Sequence, residues 1–230
     1  PQLVDYIEAI EKGLKVDMQA FDALLQQSVN DVVRRQQQAG IDIVSDGEYG
    51  KFRSWSFYVL DRLAGIEERD VVAPAGTGKD RSRFPEFYAE YFPTQRLPKR
   101  GTVVTVAPVK YKGQAVLKKD IAIFKNALKG VDVEGFLPVV APASAVPFFK
   151  NEYYKNEEEA LFGIAEALRE EYRTIVDAGL YVQIDDAFLP YMFDVAFGGE
   201  DLANFRKWAE VRVDALNHAL TTLPTAGFST

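Results

Sequence analysis

QQAGIDIVSDGEYG, residues 37–50, carries apolar residues straight into a pair of acids. Gln37 to Gly40 read as the end of a helix. Ile41, Ile43 and Val44 are β-branched and read as a short strand, and Asp46 and Glu48 bracket Gly47 where that strand stops. Upstream, Phe21, Leu24, Leu25, Val29, Val32 and Val33 trace one helical face, from a cap at Asp17 to a left-handed stop at Gly40. The same grammar returns at residues 156–190, NEEEALFGIAEALREEYRTIVDAGLYVQIDDAFLP. There Asn156 and Glu159 make a capping-box-like start, and Leu161, Ile164, Ala165, Leu168, Tyr172, Ile175 and Val176 form the apolar stripe. Ala178-Gly179 ends the helix, and LYVQIDD runs into Asp185 and Asp186.

Between these units, residues 101–111 and 133–144 read as strands and 115–130 as a helix ending at Gly130. Helix and strand alternate, which argues for a parallel β/α architecture. Residues 71–100 break the rhythm with Pro, Gly, charges and the aromatic run FPEFYAEYF, and are expected to form a surface excursion or lid. A last helix is expected from about Asp201 to Leu220, with TTLPTAGFST trailing behind it. In parallel β/α folds the strand bodies hold the core, while polar residues at their C-terminal ends face the active site. The acids therefore stand where the core stops and a substrate would begin.

Composition narrows the chemistry. With 230 residues, of which 47% are hydrophobic and 27% charged, the chain can bury a core and fits one large domain or two small ones, of which a single domain is expected. A net charge of −7 and a pI near 4.9 argue against nucleic acid, whose binding needs clustered Lys and Arg. No apolar run approaches the roughly 20 residues that span a bilayer, and no basic-then-apolar leader opens the chain, so no membrane partner and a cytoplasmic location are expected. The absence of Cys excludes disulfides, thiolate metal ligands and a thiol nucleophile from these residues, and the single His218 excludes a multi-His metal site.

Glu48 with Asp185, backed by Asp46 and Asp186, is the strongest constellation. Carboxylates at converging strand ends can hold a substrate ammonium, move protons or ligate a divalent cation; the bland alternative is helix capping or pairing with Arg53 and other surface cations. APAGTGKDRS, residues 73–82, fails as a phosphate loop, because Ala73 and Asp80 stand where Gly and Ser or Thr are needed. It reads as a flexible loop. His218 lies in a helical pattern and reads as a surface or core residue rather than an acid or base. Trp55, Phe57, Tyr58 and the aromatics of residues 84–92 read as core or lid packing, with a ring-bearing substrate as the less expected use.

Taken together, DVVRRQQQAGIDIVSDGE (31–48), FLPVVAPAS (136–144), KNEYYK (150–155) and EEYRTIVDAGLYVQIDD (170–186) resemble the catalytic-domain family of cobalamin-independent methionine synthase. They resemble more closely its single-domain bacterial relatives, which are similar in fold to uroporphyrinogen decarboxylase. The resemblance implies a (β/α)8 TIM barrel and a zinc-activated thiol, such as homocysteine, that takes a methyl group from a methyltetrahydrofolate. It places Glu48 and Asp185 where the family holds the amino group of homocysteine. The family's zinc ligands, a His-x-Cys, a Glu and a further Cys, would follow the helix ending near Leu220. Its opening strand with a Gly-Ser turn would precede Pro1, and Ala187 stands where the family often has Pro. An incomplete barrel, truncated at both ends and with exposed edges, is therefore expected from a chain shorter than the usual ~250 residues, and it is expected to be inactive alone. A zinc-free decarboxylase or lyase on the same barrel, and a non-catalytic binding protein derived from it, are the rival readings.

Overall fold

A computed structural model describes residues 2–51, 55–69, 78–94 and 101–223. The helices α1 (Gln2–Glu11) and α2 (Met18–Gln38) lead into β1 (Ile43–Ser45). A 3-10 helix, Phe57–Arg62, opens directly into β2 (Leu63–Arg69), and α3 (Lys79–Arg83) and α4 (Pro85–Thr94) follow. Next come β3 (Thr102–Tyr111), α5 (Gln114–Ala127), β4 (Glu134–Val140), α6 (Pro142–Ala145) and β5 (Phe149–Asn151). The described chain closes with α7 (Glu157–Asp177), β6 (Tyr181–Asp185), α8 (Phe188–Val195) and α9 (Leu202–Leu220).

Two helix-to-strand junctions are built alike. At the end of α2, Gly40 N–H donates to Gln37 O at 2.9 Å and Ile41 N–H to Gln36 O at 3.1 Å, with Gly40 at φ 80. At the end of α7, Gly179 N–H donates to Val176 O at 2.9 Å and Leu180 N–H to Ile175 O at 3.3 Å, with Gly179 at φ 79. Both are paired closures around a left-handed residue, a conformation that glycine adopts without a Cβ penalty. They turn each chain sharply from helix into strand. The helix starts match their caps: Asp17 accepts from Gln19 and Ala20 N–H, and Asn156 accepts from Glu159 N–H at 2.8 Å. Glu159 reaches back one residue further than a capping box requires, to Lys155 N–H at 3.0 Å.

The strands fall into two sheets of three. In the first, β4 is central and pairs in parallel with β1 and β6, with Val44 opposite Gly135 and Val140 opposite Asp185. This is an arc of a TIM barrel. Its convex face packs Val44, Leu137 and Val139 into the common core with Phe21, Leu25, Val29 and Val33 of α2, Phe124 of α5, and Leu168 and Ile175 of α7. Its concave face carries Ile43 and Tyr181, which are 45% and 41% exposed. A closed barrel fills that face with side chains, so the described residues form an open arc.

The second sheet corrects part of the sequence reading. Residues 102–111 do form a strand, but β3 pairs antiparallel with β2 and parallel with β5, outside the barrel arc. Alternating apolar residues report burial, not the identity of the neighbouring strand, so β3 looked like a barrel unit. The strands β2 and β5 and the helix α8 escaped the sequence reading. Within residues 71–100 the described part is helical, with Phe84, Phe87 and Tyr91 exposed and Lys79 N–H donating to Asp194 at 3.1 Å. Residues 73–77 of the supposed loop, and residues 224–230 of the tail, lie outside the described residues. No helix among the described residues is long and apolar enough to cross a membrane.

Two side chains finish the arc where backbone groups would otherwise lack partners. The Gln36 amide accepts from Ser45 N–H at 3.0 Å and donates to Ser45 O at 2.8 Å, standing in for a neighbouring strand at β1. The buried Tyr172 hydroxyl donates to Val140 O at 2.7 Å, at the C-terminal end of β4. Replacing Tyr172 by Phe leaves that carbonyl unpaired and should cost about 1–3 kcal/mol in a urea unfolding experiment. An unchanged midpoint would mean that Val140 O finds another partner.

Candidate active site

The chemistry-bearing edge is the C-terminal end of the β1-β4-β6 arc. Asp185 is the last residue of β6, in register with Val140. It shares the concave face with Tyr181 and Gln183, because side chains alternate along a strand. Its carboxylate accepts from Gln183 Nε2 at 3.0 Å, and its carbonyl accepts from Ala141 N–H at 2.9 Å.

Glu48 reaches the same edge from the other side of β4. Gly47 and Glu48 both sit in the left-handed region, at φ 72 and φ 60. For Glu48 this is a strained choice of order 1–3 kcal/mol, a kind of strain that clusters at functional sites. Asp46 maintains it by accepting Glu48 N–H on Oδ1 at 2.9 Å. The Glu48 carboxylate, half-exposed, meets Lys51 Nζ at 2.8 Å. The same ammonium donates to Pro138 O at 2.7 Å and lies 4.6 Å from the centroid of the Tyr58 ring. Glu48 and Asp185 therefore flank the end of β4, and an ammonium is already seated beside one of them.

The other two acids have different surroundings. Asp46 is buried, because it shares the convex side of β1 with Val44; burial raises its pKa, which the Glu48 N–H and Lys51 offset in part. Asp186 accepts from Ser144 Oγ at 2.6 Å, and Ser144 in turn accepts Phe188 N–H at 3.0 Å. Burial raises Asp186 as well, against the Ser144 hydrogen bond. Both acids act on turns, Asp46 at residues 46–48 and Asp186 at the start of α8. The alternative partner, Arg53, lies outside the described residues.

Beneath this edge lies a buried ionic cluster that the sequence reading missed. Arg62 donates to Asp120 Oδ2 at 2.6 Å and to Glu171 Oε1 at 3.2 Å, and Tyr58 donates to the same Glu171 oxygen at 3.1 Å. Burial works against the charged guanidinium, but Glu171 and Asp120 outweigh it and raise the Arg62 pKa. Burial and the Glu171 charge push the phenols of Tyr58 and Tyr111 up. Asp120 is raised to about 6 by burial, despite Arg62. One signal was available: Glu171 lies between Leu168 and Ile175 at helical spacing, inside the apolar stripe of α7. His218 pairs with Glu166 at 2.9 Å on the helix surface, away from this cluster.

The implied zinc can be tested against these residues. The chain has no Cys and one His, and among the described residues no group of three or more His, Cys, Asp or Glu is disposed to hold a metal ion. The residues present do not fit a zinc site.

Comparison with known proteins places this edge in context. No family model matches the chain. It is 24% identical over 183 residues to a methionine synthase of Thermococcus kodakarensis, covering 79% of this chain and 47% of that protein. A methionine synthase of Sulfolobus acidocaldarius is 26% identical over 180 residues, covering 77% of this chain and 45% of the relative. Among solved structures, a B12-independent methionine synthase from Shewanella sp. W3-18-1 in complex with selenomethionine superposes with a TM-score of 0.62 at 20% identity, covering 91% of this chain and 52% of that one. A protein from Listeria monocytogenes described as a vitamin-B12-independent methionine synthase gives 0.66 at 18% identity, covering 98% and 59%. The chain is thus similar to methionine synthases at 22–26% identity. In fold it is a segment of their TIM barrel, and it spans about half the length of the curated relatives it matches, 47% and 45% of the two above.

The raised carboxylates set a pH dependence. A carboxyl whose folded pKa exceeds its unfolded value of about 3.9 is protonated more readily in the folded chain, so its stabilising contribution is complete below that value and lost as pH rises through the folded pKa. Asp120, at about 6, dominates the window, with Asp46 and Asp186 in the same direction. Unfolding midpoints should therefore fall between about pH 4 and pH 6, and the fall should be shallower in Asp120→Asn. A midpoint that climbs over this interval in the parent chain would contradict the assignment.

Proposed function

We propose that this chain supplies the amino-acid-binding edge of a thiol methyltransferase of the methionine synthase type. Glu48 and Asp185 receive the ammonium of homocysteine, or of another amino-acid thiol, and a methyltetrahydrofolate is the methyl donor. The observation that carries the reading is the placement of two carboxylates on either side of the end of β4, one of them held in a left-handed backbone conformation by Asp46. The Lys51 ammonium, bonded to Glu48 and to Pro138 O over the Tyr58 ring, supports it, since the edge already accommodates a primary ammonium group. The solved relative from Shewanella sp. W3-18-1 is in complex with selenomethionine, an amino acid of the expected class.

These residues bind and orient. With the ammonium fixed between two carboxylates, the side chain of the amino acid is directed along the concave face, and its sulfur has a fixed position relative to the incoming methyl group. In the transfer, the S–CH3 bond forms as the donor's N–CH3 bond breaks, and the proton lost from the thiol ends on the departing donor nitrogen.

Titration calorimetry of the chain with L-homocysteine and L-methionine tests the reading. Glu48→Gln and Asp185→Asn should each weaken binding about tenfold or more, because a charge-assisted hydrogen bond contributes about 1.5–3 kcal/mol. Binding that neither substitution alters, or no binding of either amino acid to the parent chain, would overturn it.

A further inference from the structure

Lys51 is seated in the surroundings of an ammonium receptor. Its Nζ lies 2.8 Å from Glu48 Oε2, donates to Pro138 O at 2.7 Å and stands 4.6 Å from the centroid of the Tyr58 ring. A carboxylate, a carbonyl and an aromatic face are the kinds of group that recognise a primary ammonium. The lysine engages all three at once.

Its placement is local on one side and tertiary on the other. Lys51 N–H donates to Glu48 O at 3.0 Å, which closes the turn that holds Glu48 at φ 60 and returns the lysine to the carboxylate three residues before it. Pro138 O is open to the lysine because β1 stops pairing with β4 at Phe136. The Tyr58 ring is fixed by the bond from its hydroxyl to Glu171. The Lys51 side chain is 12% exposed and that of Glu48 36%, so the ammonium is enclosed while the carboxylate still faces the open side. A purely structural ion pair requires neither a strained backbone at Glu48 nor a carboxylate left open to a second partner.

We propose that Lys51 is a specificity-determining residue that acts as a tethered competitor: its ammonium occupies Glu48 in the empty chain, and a ligand binds by displacing it. This rests on the reading of Glu48 and Asp185 as ammonium acceptors and adds how they select. A group on a short tether competes at an effective concentration of about millimolar. A simple amine that meets Glu48 alone offers one contact against the three that hold Lys51. An amino acid that also meets Asp185, and lays its side chain along the concave face, replaces the lost contact and adds others. The competitor is thus a repulsive element that raises selectivity at the expense of affinity. The exchange replaces one ammonium by another, so it moves no proton and breaks no covalent bond.

Lys51→Met keeps most of the stem and removes the charge. In titration calorimetry it should bind both L-methionine and n-butylammonium about tenfold or more tightly than the parent, because neither ligand then breaks a charge-assisted hydrogen bond. The gain should vanish when Glu48→Gln is added. A measurement on the parent chain needs no variant: acetylation of Lys51, read by peptide mass spectrometry relative to Lys12, whose side chain is 66% exposed. It should be slow in the empty chain and faster with saturating L-methionine. Weaker L-methionine binding in Lys51→Met, a gain that survives Glu48→Gln, or acetylation of Lys51 that bound L-methionine leaves unchanged would overturn the competitor and leave the amino-acid reading standing. L-methionine that binds neither chain would overturn the amino-acid reading, and n-butylammonium that gains nothing in Lys51→Met would then overturn the competitor as well.

Discussion

A single buried guanidinium ties the two halves of the structure together. Arg62 closes the 3-10 helix that feeds β2, and it reaches across to Asp120 on α5 and Glu171 on α7. One side chain thus joins the small antiparallel-containing sheet to the helices that back the barrel arc. Such a charge is tolerable out of water only with its partners in place, and removing one of them from a buried pair typically costs about 3–5 kcal/mol. The chain keeps room for it: a Cβ on Gly113 would come within 2.7 Å of the Arg62 side chain. Tyr58 adds its hydroxyl to Glu171 and its ring to the Arg62 cation, 4.7 Å away.

The consequences run upward to the strand ends. Asp46, Lys51, Arg62, Asp120 and Glu171 border one small cavity of about 20 Å³, so the ionic cluster and the candidate site share a wall. Asp46 faces the cluster with its carboxylate and fixes Glu48 by accepting its N–H. Lys51 joins the two, its ammonium lying over the Tyr58 ring while it bonds to Glu48 and to Pro138 O of β4. A strained residue persists only where its surroundings over-determine it, and here the surroundings are charged groups drawn from the turn after β1, the 3-10 helix, α5 and α7. The precision of the edge therefore depends on electrostatics beneath it as much as on the strands that carry it.

The division of labour among the four acids also follows from geometry. Asp46 and Asp186 sit one residue off the positions that face the open side, and they hold turns. Glu48 and Asp185 face the edge. A sequence that alternates Asp-Gly-Glu and Asp-Asp presents all four as equals; the pleat and the left-handed turn separate them.

Much of the barrel arc was legible in the residues. Asp17 and Asn156 as caps, the apolar faces of α2 and α7, and the Ala-Gly stops before β1 and β6 are local properties, set by side-chain spacing and by the conformational freedom of glycine at Gly40 and Gly179. The strands end beside the acids that the residues marked, β1 at Ser45 and β6 at Asp185. The partner of β3, the assembly of Arg62 with Asp120 and Glu171, and the seating of Lys51 on Pro138 O were decided only by tertiary structure. Those contacts join residues 58, 109 and 87 positions apart in the chain. No local pattern encodes which distant strand or charge a residue will meet, since alternation and helical spacing mark only the buried face and burial energy does not depend on which neighbour supplies it.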